Sequence, residues 1–471
     1  MMISNTFRPA LAPLALAVLL SGCTLEPKYQ RPALPVANHY DYSDAATPGT
    51  GADLPWQRFF TDPTMHRLIA LALENNRDLR VAALNVETAR AQIQIDRAAL
   101  LPTVDLNASQ TSAHLPGGLY DTKSSGPVTY HELDTNLGVT SWELDFFGRL
   151  RSLRDQALEK YLSLDATQRA TQISLIAEVA SDYLTLCADN ELLTLAQDTA
   201  KSQQASYDLT KRGYDGGVYS DQDLAQAETS VRSAQADVAS YTRQARQDVN
   251  ALRLLVGAEL PADLAAKARL KQDWHFPATP AGLPSDLLTR RPDIIAAEHT
   301  LKAANANIGA ARAAFFPSIT LTAAGGSSSS SLGHLLEGGT AAWSFSPSIT
   351  LPIFDGGVNS ANLAIAKAEK RIEIADYEKA IQTAFKEVAD ALAGQDTYRD
   401  ELKARRQDVA ANQRYYDAAL LRFRTGIDSD LNVLVAQRNL YTAQQALITT
   451  RLGRLNQQIT LYKALGGGWR S

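Results

Sequence analysis

Residues 149–212 read RLRSLRDQALEKYLSLDATQRATQISLIAEVASDYLTLCADNELLTLAQDTAKSQQASYDLTKR and contain neither glycine nor proline. Apolar side chains recur there at spacings of three and four residues, for example at Ile176, Ala180 and Tyr183, which is typical of a helix packed along a seam. As one helix the stretch would extend about 95 Å, whereas an ordinary helix has only about 11–12 residues. We therefore predict that this stretch forms one exceptionally long helix.

The sequence is internally repeated. The segment AALLPTVDL around Pro102 matches AAFFPSITL around Pro317, 215 positions later. Farther along, RLLVGA at Gly257 matches YKALGG at Gly466, 209 positions later. Chance similarity would not keep nearly constant offsets over most of a repeat, so we infer a duplication. A shared coiled-coil composition is the alternative explanation.

Each half is predicted to have the same order of elements. A helix of about 35 residues runs to Leu101 in the first half and to Phe316 in the second, where proline follows. Two strands come next, then a very long helix, a short turn containing glycine, and a return helix. The segments 115–129 and 325–340, which are rich in glycine and serine, are predicted to be loops between the strands.

Four segments alternate between apolar and polar side chains as strands do: 103–109, 133–147, 318–323 and 343–353. In the last of these, Trp343, Phe345 and Ile349 share one face and serines occupy the other. The segment 133–147 changes parity near Ser141, which predicts a bulge or an exit from a sheet. The alternation fits an ordinary half-buried sheet, and it equally fits the lipid-facing strands of a membrane barrel.

The composition excludes several functions. The 471 residues carry 46 basic and 51 acidic side chains, and this net charge of −5 lacks the basic footprint of a nucleic-acid-binding protein. Two cysteines cannot form a disulfide framework, and Cys187 is interpreted as a small buried hydrophobe. The histidines show no metal spacing, and common nucleophile, phosphate-loop and metalloprotease motifs are missing. We therefore predict no enzyme, no metal, no cofactor and no nucleic-acid partner.

The first residues predict a secretory signal followed by a lipid anchor. Arg8 precedes an apolar stretch that is too short for a transmembrane helix. The tetrapeptide LSGC, which ends at Cys23, resembles the bacterial lipobox, in which residues 1–22 would be removed and Cys23 would carry covalent lipid, palmitate included. Thr24 replaces the aspartate that retains lipoproteins in the inner membrane, which implies the outer membrane. A plain signal peptide with a chance cysteine is the alternative.

The later sequence predicts how such a chain would cross a membrane. It has no run of about 18 apolar residues, so a spanning chain would need a β-barrel. Four strands cannot close one, because the smallest barrels have about eight. An open edge in hydrocarbon leaves backbone groups unpaired, so several copies would have to share the barrel. Cyclic symmetry would then align the long helices into a tube.

At this point the chain resembles the TolC/OprM-like outer-membrane efflux lipoproteins over nearly its whole length, on these segments: LSGCTLEPKYQRP (20–32), LPIFDGG (351–357), RFRTGIDSDLNVL (422–434) and LYKALGGGW (461–469). The resemblance implies an α+β membrane protein, in which a homotrimer forms a twelve-stranded β-barrel continued by a long antiparallel α-helical barrel. It also implies a passive exit duct of a tripartite pump, joined to a periplasmic adaptor (a membrane fusion protein) and an inner-membrane transporter, usually of the RND class.

The resemblance further implies that the helix turns form the periplasmic end, where side-chain links and an acidic ring close the pore. Asp223 matches an aspartate of those links, and Arg422 matches a basic residue near the second turn. Phe423 replaces a link-forming tyrosine, so a hydroxyl hydrogen bond is lost. Our hypothesis is that Asp223 and Arg422 help to hold the turns closed.

Val435 stands where the family commonly has a pore-facing aspartate. Asp428 and Asp430 are the candidates to supply the missing charge, and a ring of Val435 is a candidate for a gate that closes by dewetting. The alternative role for these aspartates is helix N-capping after a glycine turn, and Asp221 and Asp430 fit that role best.

The predicted organisation is a signal peptide (1–22), a lipid-anchored extended segment (23–63), a first repeat (64–259), a linker (260–282) and a second repeat (283–471). One rival function is a structural coiled-coil lipoprotein between outer membrane and cell wall, which leaves the duplicated strands unexplained. Others are the duct of an ABC-type protein exporter and the periplasmic adaptor itself, which would have one hairpin. The sequence names no exported substrate, and small molecules are favoured.

Overall fold

The computed structural model describes residues 24–40, 54–116, 126–271 and 274–469, so the predicted signal peptide and Cys23 lie outside the described residues. The helices are α1 (Trp56–Phe59), α2 (Pro63–Asn75), α3 (Arg77–Ala98), α4 (Arg149–Asp215), α5 (Asp221–Val256), α6 (Leu264–Lys267), α7 (Leu287–Arg290), α8 (Pro292–Ala313), α9 (Val358–Arg424) and α10 (Asp430–Ala464). The strands are β1 (Val104–Leu115), β2 (Val128–Leu144), β3 (Ser318–Ser329) and β4 (Ala341–Thr350). Within the described ranges, no helix is both long and apolar enough to cross a membrane.

The chain divides into two compact units, each built from separate segments. The first comprises the chain up to Pro32, Val86–Leu164 and Ala297–Tyr377. The second comprises Ala33–Asn85, Asp165–Ala296 and Glu378–Ser471. The four strands belong to the first unit, and both turns between long helices belong to the second.

The sheet of the first unit has the order β1-β2-β3-β4, and every neighbouring pair is antiparallel. Its register shifts in β2 between Val139 and Trp142. Ser141, inside this irregularity, has a φ of 56°, which is uncommon for a residue other than glycine. The bulge predicted near Ser141 is therefore confirmed.

Two strands continue past their predicted ends. β1 continues beyond Ser109, and its polar end pairs with β2, where Ser112 Oγ lies 2.9 Å from His131 Nδ1. β3 continues beyond Ala323 through 325–329, which was wrongly predicted to be loop. This glycine- and serine-rich segment is extended because β2 and β4 both pair with β3.

The helix of about 35 residues predicted at the start of each half is broken in both. Between α2 and α3, Asn76 has extended backbone with ψ 134°, and its Oδ1 accepts the backbone N–H of Leu79 at 2.9 Å. Between α7 and α8 the break falls at Arg291, because Pro292 disfavours helical backbone in the residue before it. The prediction of one continuous helix in each half was therefore wrong. The predicted helix ends were also too late, because α3 ends at Ala98 and α8 at Ala313, about one turn before Leu101 and Phe316.

The long helices of the two halves match in length. α4 and α9 each have 67 residues, so the prediction for 149–212 is confirmed. Each is followed by a return helix, α5 of 36 residues and α10 of 35. The turns contain Gly217 with φ 76° and Gly426 with φ 72°, a left-handed conformation that glycine adopts without steric cost. The result is two successive helical hairpins.

An aromatic cluster forms the core of the second unit. The ring of Tyr462 stacks on that of Phe59 with centroids 4.0 Å apart, and Phe276 stacks on Phe59 at 5.0 Å. The Tyr462 hydroxyl donates to the backbone oxygen of Leu54 at 2.6 Å. Cys187 belongs to the same core, and burial raises the pKa of its thiol to about 12. The interpretation of Cys187 as a small buried hydrophobe is confirmed.

In the first unit, the N-terminal segment 24–31 is held against α8. Arg31 donates to both Glu298 oxygens, and Asn305 Nδ2 donates to Glu26 Oε1 at 2.9 Å. Gly309 permits this close approach, since a Cβ there would lie 3.0 Å from Glu26 Cα. Side-chain hydrogen bonds therefore hold residues 24–31 in a defined position on α8.

Candidate gate at the two helix turns

Asp223 lies in the first turn of α5, where it closes a capping box. Its backbone N–H donates to Ser220 Oγ at 3.2 Å, and its carboxylate accepts from the Ser220 N–H at 2.9 Å and the hydroxyl at 2.7 Å. The hydroxyl and the backbone N–H of Ser220 hold the pKa of Asp223 below its usual range. The N-cap is therefore Ser220, and Asp221 is the first helical residue rather than the cap.

The second turn is held by an ion pair. Arg422 Nε donates to Asp428 Oδ2 at 2.7 Å, and Asn432 Nδ2 donates to Asp428 Oδ1 at 3.0 Å. The hydrogen bond from Arg422 lowers the pKa of Asp428. Within one chain, Arg422 therefore contacts Asp428 of its own hairpin, and Asp223 contacts Ser220 of its own hairpin.

Asp430 brings the two hairpins together. Its Oδ2 accepts a hydrogen bond from Thr210 Oγ1 of α4 at 3.3 Å. Burial raises the pKa of Asp430, and the negative charge of Asp223 raises it further. Two of the predicted gate aspartates therefore lie near each other, and Asp430 is a half-buried contact between hairpins instead of an N-cap.

The two residues that depart from the family pattern lie in different surroundings. Phe423 packs beside the buried Ala419, Val433 and Ala436, so its ring stabilises the contact between α9 and α10. Val435 is half-buried and lines a polar cavity of about 180 Å³ among α4, α5 and α10. Phe423 therefore contributes apolar packing where a tyrosine would offer a hydroxyl.

A series of polar contacts between the hairpins was missed in the sequence. Gln437 Nε2 donates to Ser202 Oγ at 2.9 Å. Tyr441 Oη donates to an Asp237 oxygen at 3.1 Å. Gln445 Nε2 donates to Tyr241 Oη at 3.0 Å. The three α10 residues recur every fourth position, so their shared helix face was a signal in the sequence that could have indicated this polar seam.

Farther along the first hairpin, Asp189 of α4 and Asp248 of α5 are half-buried neighbours, and among the described residues Asp248 Oδ2 is buried without a hydrogen-bond partner. Burial and then the negative charge of Asp189 raise the pKa of Asp248 to about 7, and Asp182 adds to the effect. Burial also raises the pKa of Asp189. The pair therefore holds a proton at a pH where an exposed aspartate would be ionised.

This carboxyl pair predicts a pH-dependent stability. The pKa of Asp248 is raised in the folded state, so its protonation stabilises the fold. This contribution to the free energy of unfolding is full below the unfolded pKa near 3.8 and is lost as the pH rises through about 7. We expect the melting temperature of the detergent-solubilised chain, followed by circular dichroism, to fall between pH 6 and pH 8. Asp248→Asn should flatten this slope and the exposed Asp198→Asn should preserve it. Equal slopes in all three proteins would contradict the assignment.

No group of three or more His, Cys, Asp or Glu side chains is placed to hold a metal ion within the described ranges. The candidate site consists of helix ends, ion pairs and polar contacts between hairpins. Such an arrangement can hold two hairpins together or release them. Among the described residues of the site, no side chains are arranged as a nucleophile with its base.

Comparison of the fold with solved structures identifies the class of protein. The structure aligns with the open-state MtrE outer membrane channel of Neisseria gonorrhoeae at a TM-score of 0.86 and 40% identity, covering 95% of this chain and 99% of that chain. The chain therefore has the fold of an outer-membrane channel. The family model described as outer membrane efflux protein matches residues 68–258 and 283–467, and the chain belongs to that family.

Two curated relatives agree with this family. The toluene efflux pump outer membrane protein TtgC of Pseudomonas putida is 50% identical over 458 residues, which cover 96% of this chain and 94% of TtgC. The outer membrane protein OprJ of Pseudomonas aeruginosa is 40% identical over 462 residues, which cover 97% of this chain and 95% of OprJ. The predicted family, outer-membrane location and efflux function are confirmed.

Proposed function

We propose that three copies of this chain form the passive exit duct of a tripartite efflux pump. In this proposal the three sheets join into one twelve-stranded barrel in the outer membrane, and the helical hairpins form a tunnel in the periplasm. One observation carries it: among the described residues the sheet has two edge strands without a further partner, β1 and β4, and an exposed apolar face. On β4, Trp343 is 81% exposed, Phe345 60% and Ile349 69%.

Such a sheet is unfavourable for an isolated chain in water, because open edges and apolar faces invite pairing. Joining β1 of one copy to β4 of the next would satisfy the edges, and lipid would cover the apolar face. The same arrangement would bring the three pairs of helix turns together around one axis. Asp223, Arg422, Asp428, Asp430 and Val435 would then surround the periplasmic opening.

The proposed partners are a periplasmic adaptor and an inner-membrane transporter of the RND class. Relatives at 50% identity are named as outer-membrane proteins of toluene and antibiotic efflux pumps, which supports small molecules as the cargo. A covalent lipid on Cys23 is part of the proposal. It is supported by the adjacent segment 24–31, whose contacts with α8 would hold an anchor in place.

Paired substitutions on β4 test the membrane placement. An arginine on a lipid-facing strand position costs about 2–4 kcal/mol, whereas the lumen side tolerates it. We expect Phe345→Arg to abolish the heat-modifiable trimer on denaturing gels and to remove the conductance in planar bilayers. Ser344→Arg, on the opposite face, should keep both. Equal behaviour of the two variants, or a monomer without conductance in the unmodified chain, would contradict the proposal and favour a structural lipoprotein.

A further inference from the structure

A basic cleft lies between α9 and α10 in the second unit. Its charged lining consists of Arg399, Lys403 and Arg406 on α9, Arg454 on α10, and one carboxylate, Asp400. The cavity has a volume of about 530 Å³. Asp400 is highly exposed and lies 3.7 Å from Arg399. The cleft is therefore strongly positive although the chain as a whole has a net charge of −5.

The positive charge of the basic cleft is not balanced within the described part of the chain. Arg454 Nη2 donates to the backbone oxygen of Trp274 at 2.8 Å, and its buried Nε has no hydrogen-bond partner. Burial and then the charges of Arg406 and Arg451 lower the pKa of Arg454. By contrast, Arg451 is paired with Glu191 at 2.8 Å. Three exposed cations on α9 thus lie beside a half-buried arginine, and this concentration of positive charge favours an anionic occupant.

The duplication supplies an internal comparison. α4 and α9 correspond at an offset of 209 positions, so the four cations have counterparts in the first repeat, and all are uncharged: Asn190, Thr194, Gln197 and Ala245. The helical hairpin therefore does not require these cations for its fold.

In the first repeat, the corresponding place is filled by the chain itself. Asn190 Nδ2 donates to the backbone oxygen of Ala268 at 3.2 Å, and Arg269 Nη1 donates to Thr194 Oγ1 at 3.1 Å. Ala245 is buried in the same core as Leu264 and Ala268. A polypeptide segment thus covers the hairpin there, whereas the described residues leave the basic cleft of the second repeat open.

We propose that the basic cleft docks an acidic polypeptide segment of a partner protein, in the place that residues 264–270 take in the first repeat. The three cations on α9 extend over about 10 Å of the helix axis, which matches acidic side chains about three residues apart in an extended segment. A single small anion would contact only part of this row. The docking surface is separate from the helix turns, and it does not depend on the gate.

Binding of a fluorescein-labelled hexaglutamate peptide to the purified full-length chain in detergent tests the proposal by fluorescence anisotropy. We expect saturable binding that weakens with salt. Lys403→Gln/Arg406→Gln should weaken it about tenfold or more, because two charge-assisted contacts are lost. The control Lys379→Gln/Arg414→Gln removes the same charge from exposed positions of α9 and should bind as the unmodified chain does.

Three results would overturn the proposal. They are no binding by the unmodified chain, equal weakening in both double variants, and displacement of the peptide by an equal concentration of inorganic pyrophosphate. The last result would identify a small polyanion as the occupant. Bilayer conductance of Lys403→Gln/Arg406→Gln should equal that of the unmodified chain, so that failure of the docking proposal and failure of the duct proposal are distinguishable.

Discussion

Arg291→Met is expected to lower the free energy of unfolding by about 3 kcal/mol. The Arg291 side chain is only 9% exposed. It donates to both oxygens of Asp293 at 3.0 and 2.6 Å, to Glu387 at 2.7 Å, and to the backbone oxygen of Ala464 at 3.0 Å. One guanidinium thus joins α8, α9 and the end of α10. Methionine keeps the apolar stem and removes all of these hydrogen bonds.

The loss should be measured as a shift in the denaturation curve of the detergent-solubilised chain. Arg414→Met is the matched control, since Arg414 is exposed on α9 and its replacement should have little effect. The side chains of Asp293 and Glu387 are each 44% exposed, so water can hydrate them after the change. The expected loss of stability is therefore at the lower end of the range for breaking a buried ion pair. A shift equal to that of Arg414→Met would contradict the prediction.

Asp223→Ala is expected to raise the single-channel conductance of the reconstituted chain several-fold. In the proposed trimer this carboxylate lies at the periplasmic opening. Our hypothesis is that Asp223 and Arg422 help to hold the turns closed, so removal of the Asp223 carboxylate should let the turns separate more easily. Planar-bilayer recordings measure the change directly.

Loss of the helix cap alone could also raise the conductance. The variant Ser220→Ala separates this explanation from a gating role of the Asp223 carboxylate. This variant breaks the same capping box but keeps the Asp223 carboxylate. We expect its conductance to stay near that of the unmodified chain. Equal rises in both variants would assign the effect to the helix cap, and no rise with Asp223→Ala would exclude the gating role.

Local rules predicted the parts of the fold that local interactions determine. The absence of glycine and proline predicted the 67-residue helix, and the parity change near Ser141 predicted the bulge in β2. The extended segment 325–329 could not be predicted in this way, because small residues acquire strand structure there by pairing with β2 and β4. The break at Asn76 likewise depends on a tertiary contact, its hydrogen bond to Leu255 on a return helix.

The candidate site was predictable in its position and less so in its contacts. The spacing of Ser220 and Asp223 is that of a capping box and is readable from the sequence. The contact of Gln437 with Ser202 joins residues 235 positions apart, so it appears only when the hairpins pack side by side. Phe423 is explained by its apolar neighbours, which no local pattern identifies.

The equal lengths of α4 and α9 also restrict how this sequence can evolve. One inserted residue inside either helix would rotate everything beyond it by about 100° and move it by about 1.5 Å, which would misplace every later side chain against the neighbouring helix. Insertions and deletions can therefore accumulate only where no helix transmits them. The offset between the halves changes from 215 to 209 between the start of the sheets and the start of the long helices. Since the duplication, the strands and their connections have absorbed the length changes that the helices could not.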